Sequence, residues 1–529
     1  MRLQSSTGWA RAGLTFAVCA ALLVMPGRGQ DREPSGARAV TQTTGLPGID
    51  RGLRAHDAPI DPSSRGSNGV RAQMERLGGT PNERLFLRGS IIVKFRPGAG
   101  RNAVNSAMRV AAASSVERPP YANFEIMQIP ADADPEAIAA ELRLNPDVEY
   151  AQPRYRNHAM ARPNDPLYDR QWNFPALDME RAWEIQPAAG SRITVAVLDT
   201  GLAFRSMTVR YNSSSPFRVT PGGSLFPALG LVDVPFAIAP EIGVDRVVAP
   251  RDFIWDDELP PFDLDGHGTH VSGTIGQLTN NGIGVAGMAY GVRLMPVKVI
   301  DDVWDFIFNS PNIGTDDVVA RGVRYAADNG AHVINMSIGR SDGGPASVVD
   351  DAIRYAISRG AFVAVAAGNT AETGNAPSRT AESAPSINGM VAVGAVGRSL
   401  QRAFYSTTNS YVELAAPGGD PRRDGGEGGI LQQTLDLEVL HTYELGPQSL
   451  VPPRADMFAY YYFQGTSMAT PHVSAFAALL MQQGITSPAA IEAAMKQFAR
   501  DLGPAGVDGQ FGHGLIQPRT TLRGLGLAR

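Results

Sequence analysis

Cysteine is almost missing from this chain: among 529 residues there is one, Cys19. It lies in an apolar run at the N-terminus, so the chain beyond it carries none. That excludes a disulfide framework, a zinc–cysteine cluster and a thiol nucleophile there. Stability must then come from the core and from any bound ions. Long hydrophobic runs are also missing after residue 25, so no later segment reads as a membrane span. Charge of one sign is scarce. Charged residues make up 19%, the formal net charge is −5, and no long basic run exists to track a nucleic acid. No internal repeat is evident.

What is present is bulk and punctuation. Hydrophobic residues reach 43%, enough for a sizeable core, while 57 glycines and 39 prolines imply many loops and turns. At the N-terminus, Arg2 and Arg11 precede an apolar run from about Ala12 to Met25, followed by Gly27 and Gly29. This reads as a signal peptide over residues 1–29, implying secretion to the exterior or a periplasm and no stable membrane anchor after cleavage. Residues 30–81 are rich in Gly, Ser, Arg and Pro and read as a disordered linker.

Residues 82–160 look like a small α+β domain. Ser90–Arg96 and Phe124–Ile129 alternate as strands should, Pro135 opens a helix through Leu144, and Val148–Gln152 is a further strand. Over residues 161–529 the pattern changes to apolar strands alternating with helices. Ile193–Leu198, Leu294–Ile300, His332–Ile338, Phe362–Ala367 and Met390–Val396 are the strands. Helices are expected from Thr315 as cap to near Gly330, over Ser347–Arg359, over Thr466–Gln483 and over Pro488–Arg500. Such alternation predicts a mainly parallel sheet of about seven strands covered on both faces. Sites on such sheets gather at the carboxyl ends of strands, where Asp199 and Asn369 fall.

Three islands carry chemistry: Val195–Gly201 around Asp199, Asp265–Gly273 around His267, and Gly465–Val473 around Ser467. A serine nucleophile needs a base to take its proton, and the base needs an acid to fix its tautomer. Taken alone, Asp199 could be a strand-end aspartate and Ser467 a plain N-cap serine, while His267 with His270 forms a His-x-x-His pair that could bind a metal, although the zinc-protease glutamate is missing. Gly266 and Gly268 suggest an uncrowded setting for His267. Together, in the order Asp, His, Ser, the islands resemble the signature segments of subtilisin-like serine proteases. The resemblance covers about Asn164 to Arg529, and residues 82–160 resemble the family's inhibitory propeptide, of ferredoxin-like α+β fold.

The resemblance implies a three-layer α/β fold and a secreted serine endopeptidase made as a self-processing zymogen. Its catalytic residues would be Asp199, His267 and Ser467, with Asn369 as oxyanion donor. Ser337, Ile338 and Gly339 would bind the substrate backbone. Its partners would be protein or peptide substrates and its own propeptide, with the self-cut near Arg154–Pro163. No cofactor is required for this chemistry. Structural calcium could be held by the acidic stretch Asp252, Asp256, Asp257, Glu258, Asp263 and Asp265, or by the loop Leu278–Val285, though the stretch reads more simply as a solvated loop; no metal ligand is assigned. His270 and His472 are expected to be structural. Arg340 and Glu382 are read as solvated loop charges. Three segments, Phe204–Val248, Val303–Asn312 and Asp420–Met457, read as insertions that rim the cleft or ride on the surface. A binding protein on a dead protease fold is the competing class, against which the complete triad speaks. An ordinary esterase would show a Gly-x-Ser-x-Gly elbow, which Ser467 lacks.

Overall fold

The computed structural model of the protein describes residues 86–155, 162–220 and 222–524. The expected signal peptide and linker lie outside the described residues. Two compact units divide the chain, one containing residues 86–155 and the other Arg162–Thr521.

The first unit runs β1 (Phe86–Phe95), α1 (Arg101–Val110), β2 (Ser115–Glu117), β3 (Glu125–Gln128), α2 (Pro135–Leu142) and β4 (Val148–Tyr155). Its antiparallel sheet has the order β2-β3-β1-β4, the split βαβ arrangement of a ferredoxin-like domain. Inward residues Ile91, Val93, Met127, Val148 and Ala151 meet Ala107, Ala139 and Leu142 from the two helices in one core. The start of α2 follows from sequence. Asp134 accepts the Glu136 N–H at 2.9 Å, and Pro135 fills the first helical position, where no N–H is needed.

The second unit is built on a seven-stranded sheet in the order β13-β12-β11-β10-β5-β9-β8. Its strands are β5 (Thr194–Asp199), β8 (Arg251–Asp252), β9 (Arg293–Lys298), β10 (Val333–Met336), β11 (Phe362–Ala366), β12 (Met390–Val396) and β13 (Leu414–Pro417). Every pairing is parallel. All residues of β5, β10, β11 and β12 are buried, so both faces are covered, as their unbroken apolar runs require. Two further pairs lie off this sheet, β6 (Met207–Ser213) with β7 (Gly230–Phe236) and β14 (Ile430–Leu435) with β15 (Phe458–Phe463).

Five long helices complete the layers: α3 (His267–Gly276), α4 (Asp316–Asp328), α5 (Ser347–Ser358), α6 (Thr466–Gln483) and α7 (Pro488–Phe498). Helices α4 and α5 supply Val318, Val323, Val349 and Ile353 to a core shared with Leu198, Val297, Ile334 and Val365. Helix α6 is buried along nearly its whole length and runs against β10 to β13 and α3. Thr315 precedes α4 as expected but does not cap it with its side chain. Its hydroxyl donates to the Asp317 carboxylate at 2.6 Å.

The three segments read as insertions pack together. Tyr211 of β6 stacks on Phe308 at 4.6 Å, Trp304 donates its indole N–H to the Leu440 carbonyl at 2.7 Å, and Ala455 exchanges backbone hydrogen bonds with the end of β7. They form one aromatic-lined block rather than three separate loops.

Candidate active site

Strand β5 ends on Asp199, buried to 1% exposure. Its Oδ1 accepts the Thr200 N–H at 2.9 Å and the His267 Nδ1–H at 2.6 Å. Oδ2 is buried and has no hydrogen-bond partner among the described residues. His267 opens α3. Burial opposes a charge on its imidazole, but the Asp199 charge and hydrogen bond, with Asp265 and Asp263 nearby, outweigh it and raise the pKa to about 9.

A residue that the sequence placed only in the acidic stretch holds α3 in place. Asp263 is buried, and its Oδ1 accepts from Thr200 Oγ1, the Asp265 N–H and the Gly266 N–H at 3.0, 3.1 and 2.8 Å. Its Oδ2 accepts the Thr269 N–H at 2.9 Å and the Thr269 hydroxyl at 2.6 Å. One carboxylate thus ties the turn after β5 to the first turn of α3 and satisfies its free N–H groups. An aspartate four residues before His267, which opens the helix, was the signal for it. Asp263→Ala leaves these donors unmet. It is expected to cost about 3 kcal/mol, read as a lower thermal unfolding midpoint, whereas Asp257→Ala at the surface should change little.

The expectation of an uncrowded His267 is corrected by Gly268. A methyl placed there would lie 2.3 Å from the Gly201 carbonyl oxygen and 2.9 Å from its nitrogen. Glycine is present because the helix start and the turn after Asp199 touch backbone to backbone.

Ser467 is the second residue of α6. Its hydroxyl donates to the Ser337 carbonyl at 3.0 Å, and the Ser337 hydroxyl donates to the Ser467 carbonyl at 2.7 Å. Asn335 Nδ2 donates to Ser337 Oγ at 3.0 Å, and its Oδ1 accepts from Ser474 at 2.8 Å, so a buried chain of polar groups ties the end of β10 to α6. Gly465 has φ +150° and ψ 159°, a conformation open essentially to glycine. A methyl on it would sit 3.5 Å from both Asn369 Nδ2 and the Ser467 nitrogen. Two potential donors therefore converge on the space that glycine leaves. The Asn369 amide is oriented by its other end, whose Oδ1 accepts the Thr466 N–H and hydroxyl, each at 2.9 Å. Ile338 is buried and Gly339 exposed beyond the end of β10.

The remaining sequence candidates find local partners. His270 Nε2 donates to the Ile430 and Tyr461 carbonyls at 3.0 and 3.2 Å, and burial lowers its pKa to about 3. His472 Nδ1 donates to the Met468 carbonyl and its Nε2 accepts from Asn173 Nδ2, both at 2.9 Å; burial lowers its pKa to about 4. Arg340 and Glu382 are not free solvated charges: Arg340 forks onto Asp316 at 2.7 and 2.9 Å, and Glu382 pairs with Arg379 at 3.1 Å.

Nor is the acidic stretch a solvated loop throughout. Asp252 and Asp263 are buried acceptors of backbone N–H groups, and Asp256 pairs with Arg251 and Arg321. Beside the loop Leu278–Val285, Asp165 accepts the Asn280 and Asn281 N–H groups, and Glu241 accepts from Tyr460, Gln433 and the Val285 N–H. Each of these contacts presents a proton donor to the carboxylate. Among the described residues, no three acidic or histidine side chains converge as a metal site.

A hydroxyl at a helix start, two N–H groups near it, and a strand-end aspartate bonded to a histidine that opens a helix are the parts a serine hydrolase uses, although among the described residues no hydrogen bond joins His267 to Ser467. A family model for the subtilases matches residues 190–514, and one for the fervidolysin N-terminal prodomain matches residues 77–154. The chain is similar to thermitase of Thermoactinomyces vulgaris, with 31% identity covering 65% of this chain and 94% of that protein. It is similar to an extracellular protease of Xanthomonas campestris pv. campestris, with 30% identity covering 73% of this chain and 60% of that one. Among solved structures, fervidolysin from Fervidobacterium pennivorans, a keratinolytic enzyme related to subtilisin, superposes with a TM-score of 0.50 at 23% identity, over 83% of this chain and 61% of that one. The chain belongs to the subtilase family and is a subtilisin-like serine endopeptidase with an N-terminal prodomain.

Proposed function

We propose that the chain is secreted as a zymogen and matures by cutting itself. Residues 1–29 serve as signal, 30–81 as linker, 82–160 as inhibitory propeptide and 161–529 as the enzyme, with cleavage near Arg154–Pro163. The likeness to an extracellular protease supports secretion. No helix among the described residues is long and apolar enough to cross a membrane.

Ser467 is the nucleophile in this reading. Its proton, which in the free site points to the Ser337 carbonyl, turns to His267 Nε2 as the hydroxyl attacks a peptide carbonyl. His267 then gives that proton to the leaving amine, and water repeats the sequence in reverse on the acyl-enzyme. Asp199 holds His267 in its Nδ1–H tautomer and stabilises the imidazolium. The Asn369 amide and the Ser467 N–H receive the oxyanion. Ser337 to Gly339 pair with the substrate backbone as an added strand. The chemistry needs no cofactor.

The observation that carries this reading is the convergence of Asn369 Nδ2 and the Ser467 nitrogen on one space beside the Ser467 hydroxyl. A fluorophosphonate inhibitor tests it. One adduct on Ser467, found by peptide mass mapping and abolished by prior heat unfolding, is expected; an unlabelled folded chain contradicts the reading. Asn369→Leu removes one donor and is expected to lower kcat about 10²–10³-fold with KM nearly unchanged. A comparable rise in KM with kcat unchanged would assign Asn369 to substrate binding instead.

A further inference from the structure

The two donors assigned to the oxyanion belong to different elements. Asn369 follows β11, and the Ser467 nitrogen lies in the first turn of α6. Their spacing is set by whatever touches both. The loop between β12 and β13 does so with three consecutive buried residues, Tyr405, Ser406 and Thr407.

This segment brackets Asn369 on both sides. The Thr407 N–H donates to the Gly368 carbonyl at 3.0 Å, and Thr407 Oγ1 accepts the Thr370 N–H at 3.1 Å. The Ala371 N–H donates to the Tyr405 carbonyl at 3.1 Å. The approach is close. Gly368 has φ +108°, and a methyl on it would lie 2.9 Å from Thr407 Oγ1.

The same segment reaches the nucleophile's helix through the Tyr405 side chain. The Tyr405 hydroxyl oxygen accepts the Gly465 N–H at 2.8 Å, and its proton is shared between the Gly418 and Gly419 carbonyls at 2.8 and 2.6 Å. Gly465 is the residue whose φ of +150° opens the space between the two donors. Ser406 anchors the segment, its Oγ accepting the Ala395 N–H of β12 at 3.0 Å. A hydroxyl and a threonine two residues apart therefore hold both donor-bearing backbones to one strand end.

We propose that Tyr405 and Thr407 are positioning residues for the oxyanion donors: Tyr405 aims the Ser467 N–H through Gly465, and Thr407 aims the Asn369 amide through Gly368 and Thr370. Both act through the backbone of a neighbour. Burial pushes the Tyr405 hydroxyl well above its ordinary pKa, so it keeps its proton across the working range. Its effect falls on turnover and leaves the acid limb set by His267 where it is.

The inference rests on Asn369 and the Ser467 N–H receiving the oxyanion. It is tested on enzyme matured from the full-length chain. Tyr405→Phe removes one oxygen, and the Gly465 N–H keeps the Gly418 carbonyl as acceptor at 3.0 Å. It is expected to lower kcat about tenfold with KM and the acid limb unchanged, less than removal of a donor because only the aim is lost. Affinity for a peptide aldehyde, whose hemiacetal with Ser467 places an oxygen in the same space, should fall by the same factor. Thr407→Val should behave alike, Thr407→Ser, which keeps the oxygen, should recover most of the loss, and Thr407→Val should cost nothing further once Asn369 is replaced by Leu. Wild-type kcat and aldehyde affinity in Tyr405→Phe and Thr407→Val, while Asn369→Leu loses turnover, overturn the positioning and leave the oxyanion reading standing. A lower unfolding midpoint with full kcat overturns it equally, as a purely structural role. If Asn369→Leu also keeps wild-type turnover, the oxyanion reading falls and the positioning with it. Should Tyr405→Phe not fold, Thr407→Val against Thr407→Ser decides.

Discussion

Ser467→Ala is expected to lower peptide hydrolysis on the order of 10⁶-fold and to leave the chain at full length after the signal. The hydroxyl is the only group at the start of α6 placed to form the acyl-enzyme, and its loss leaves the donors at Asn369 and Ser467 N–H intact. Binding should therefore survive while turnover does not. The measurement is paired expression of wild type and variant, with intact mass and N-terminal sequencing of each product. If only wild type sheds residues 82–160, the cut is its own and the new terminus defines the mature enzyme. If both are cut alike, another protease matures the chain. If neither is cut although both fold, self-processing is wrong and a scaffold role gains ground.

Asp199→Asn separates charge from geometry. Thr200 N–H and His267 Nδ1–H both donate to Oδ1. An asparagine that keeps its oxygen there preserves both bonds and places its amide where Oδ2 now lies unpaired. What disappears is the negative charge that stabilises the imidazolium formed during attack. The expected loss in kcat is on the order of 10⁴-fold. The pH dependence should change with it. Wild-type kcat/KM rises with pH as His267, raised to about 9, loses its proton and becomes able to accept one. Removing the Asp199 charge lowers that pKa, so the acid limb of the variant should move to lower pH even as its plateau falls. A variant with wild-type kcat, or an acid limb that stays put, would remove Asp199 from the role assigned to it.

Much of the sheet was legible because parallel strands buried on both faces must be written as unbroken apolar runs. Phe362–Ala366 and Met390–Val396 are such runs, bounded by glycines or polar turns. Helix α6 was legible to its last residue, since Gly484 ends it in a left-handed cap. Helix α1 was missed because its buried side is made of alanines, Ala103 and Ala107, which give little apolar periodicity. The β6–β7 hairpin does alternate, with Val209, Tyr211 and Ser213 inward, but it stood inside a stretch read only as an insertion. At the site, motif residues could be named because each sits among glycines and small side chains. Most of their supports could not. Thr466 and Ser474 act through contacts about a hundred or more residues away in sequence, and no local pattern encodes such partners.

The two strands β14 and β15 meet at the imidazole of His270, whose single N–H serves a carbonyl from each. That ring rides on the helix begun by His267, and β15 leads within four residues to Ser467. Base and nucleophile thus share one mechanical joint at the root of the ribbon, while its far end grows into the block formed with the other insertions. A change in length at the root would shift base and nucleophile together, whereas one at the far end acts first on the packing of the block.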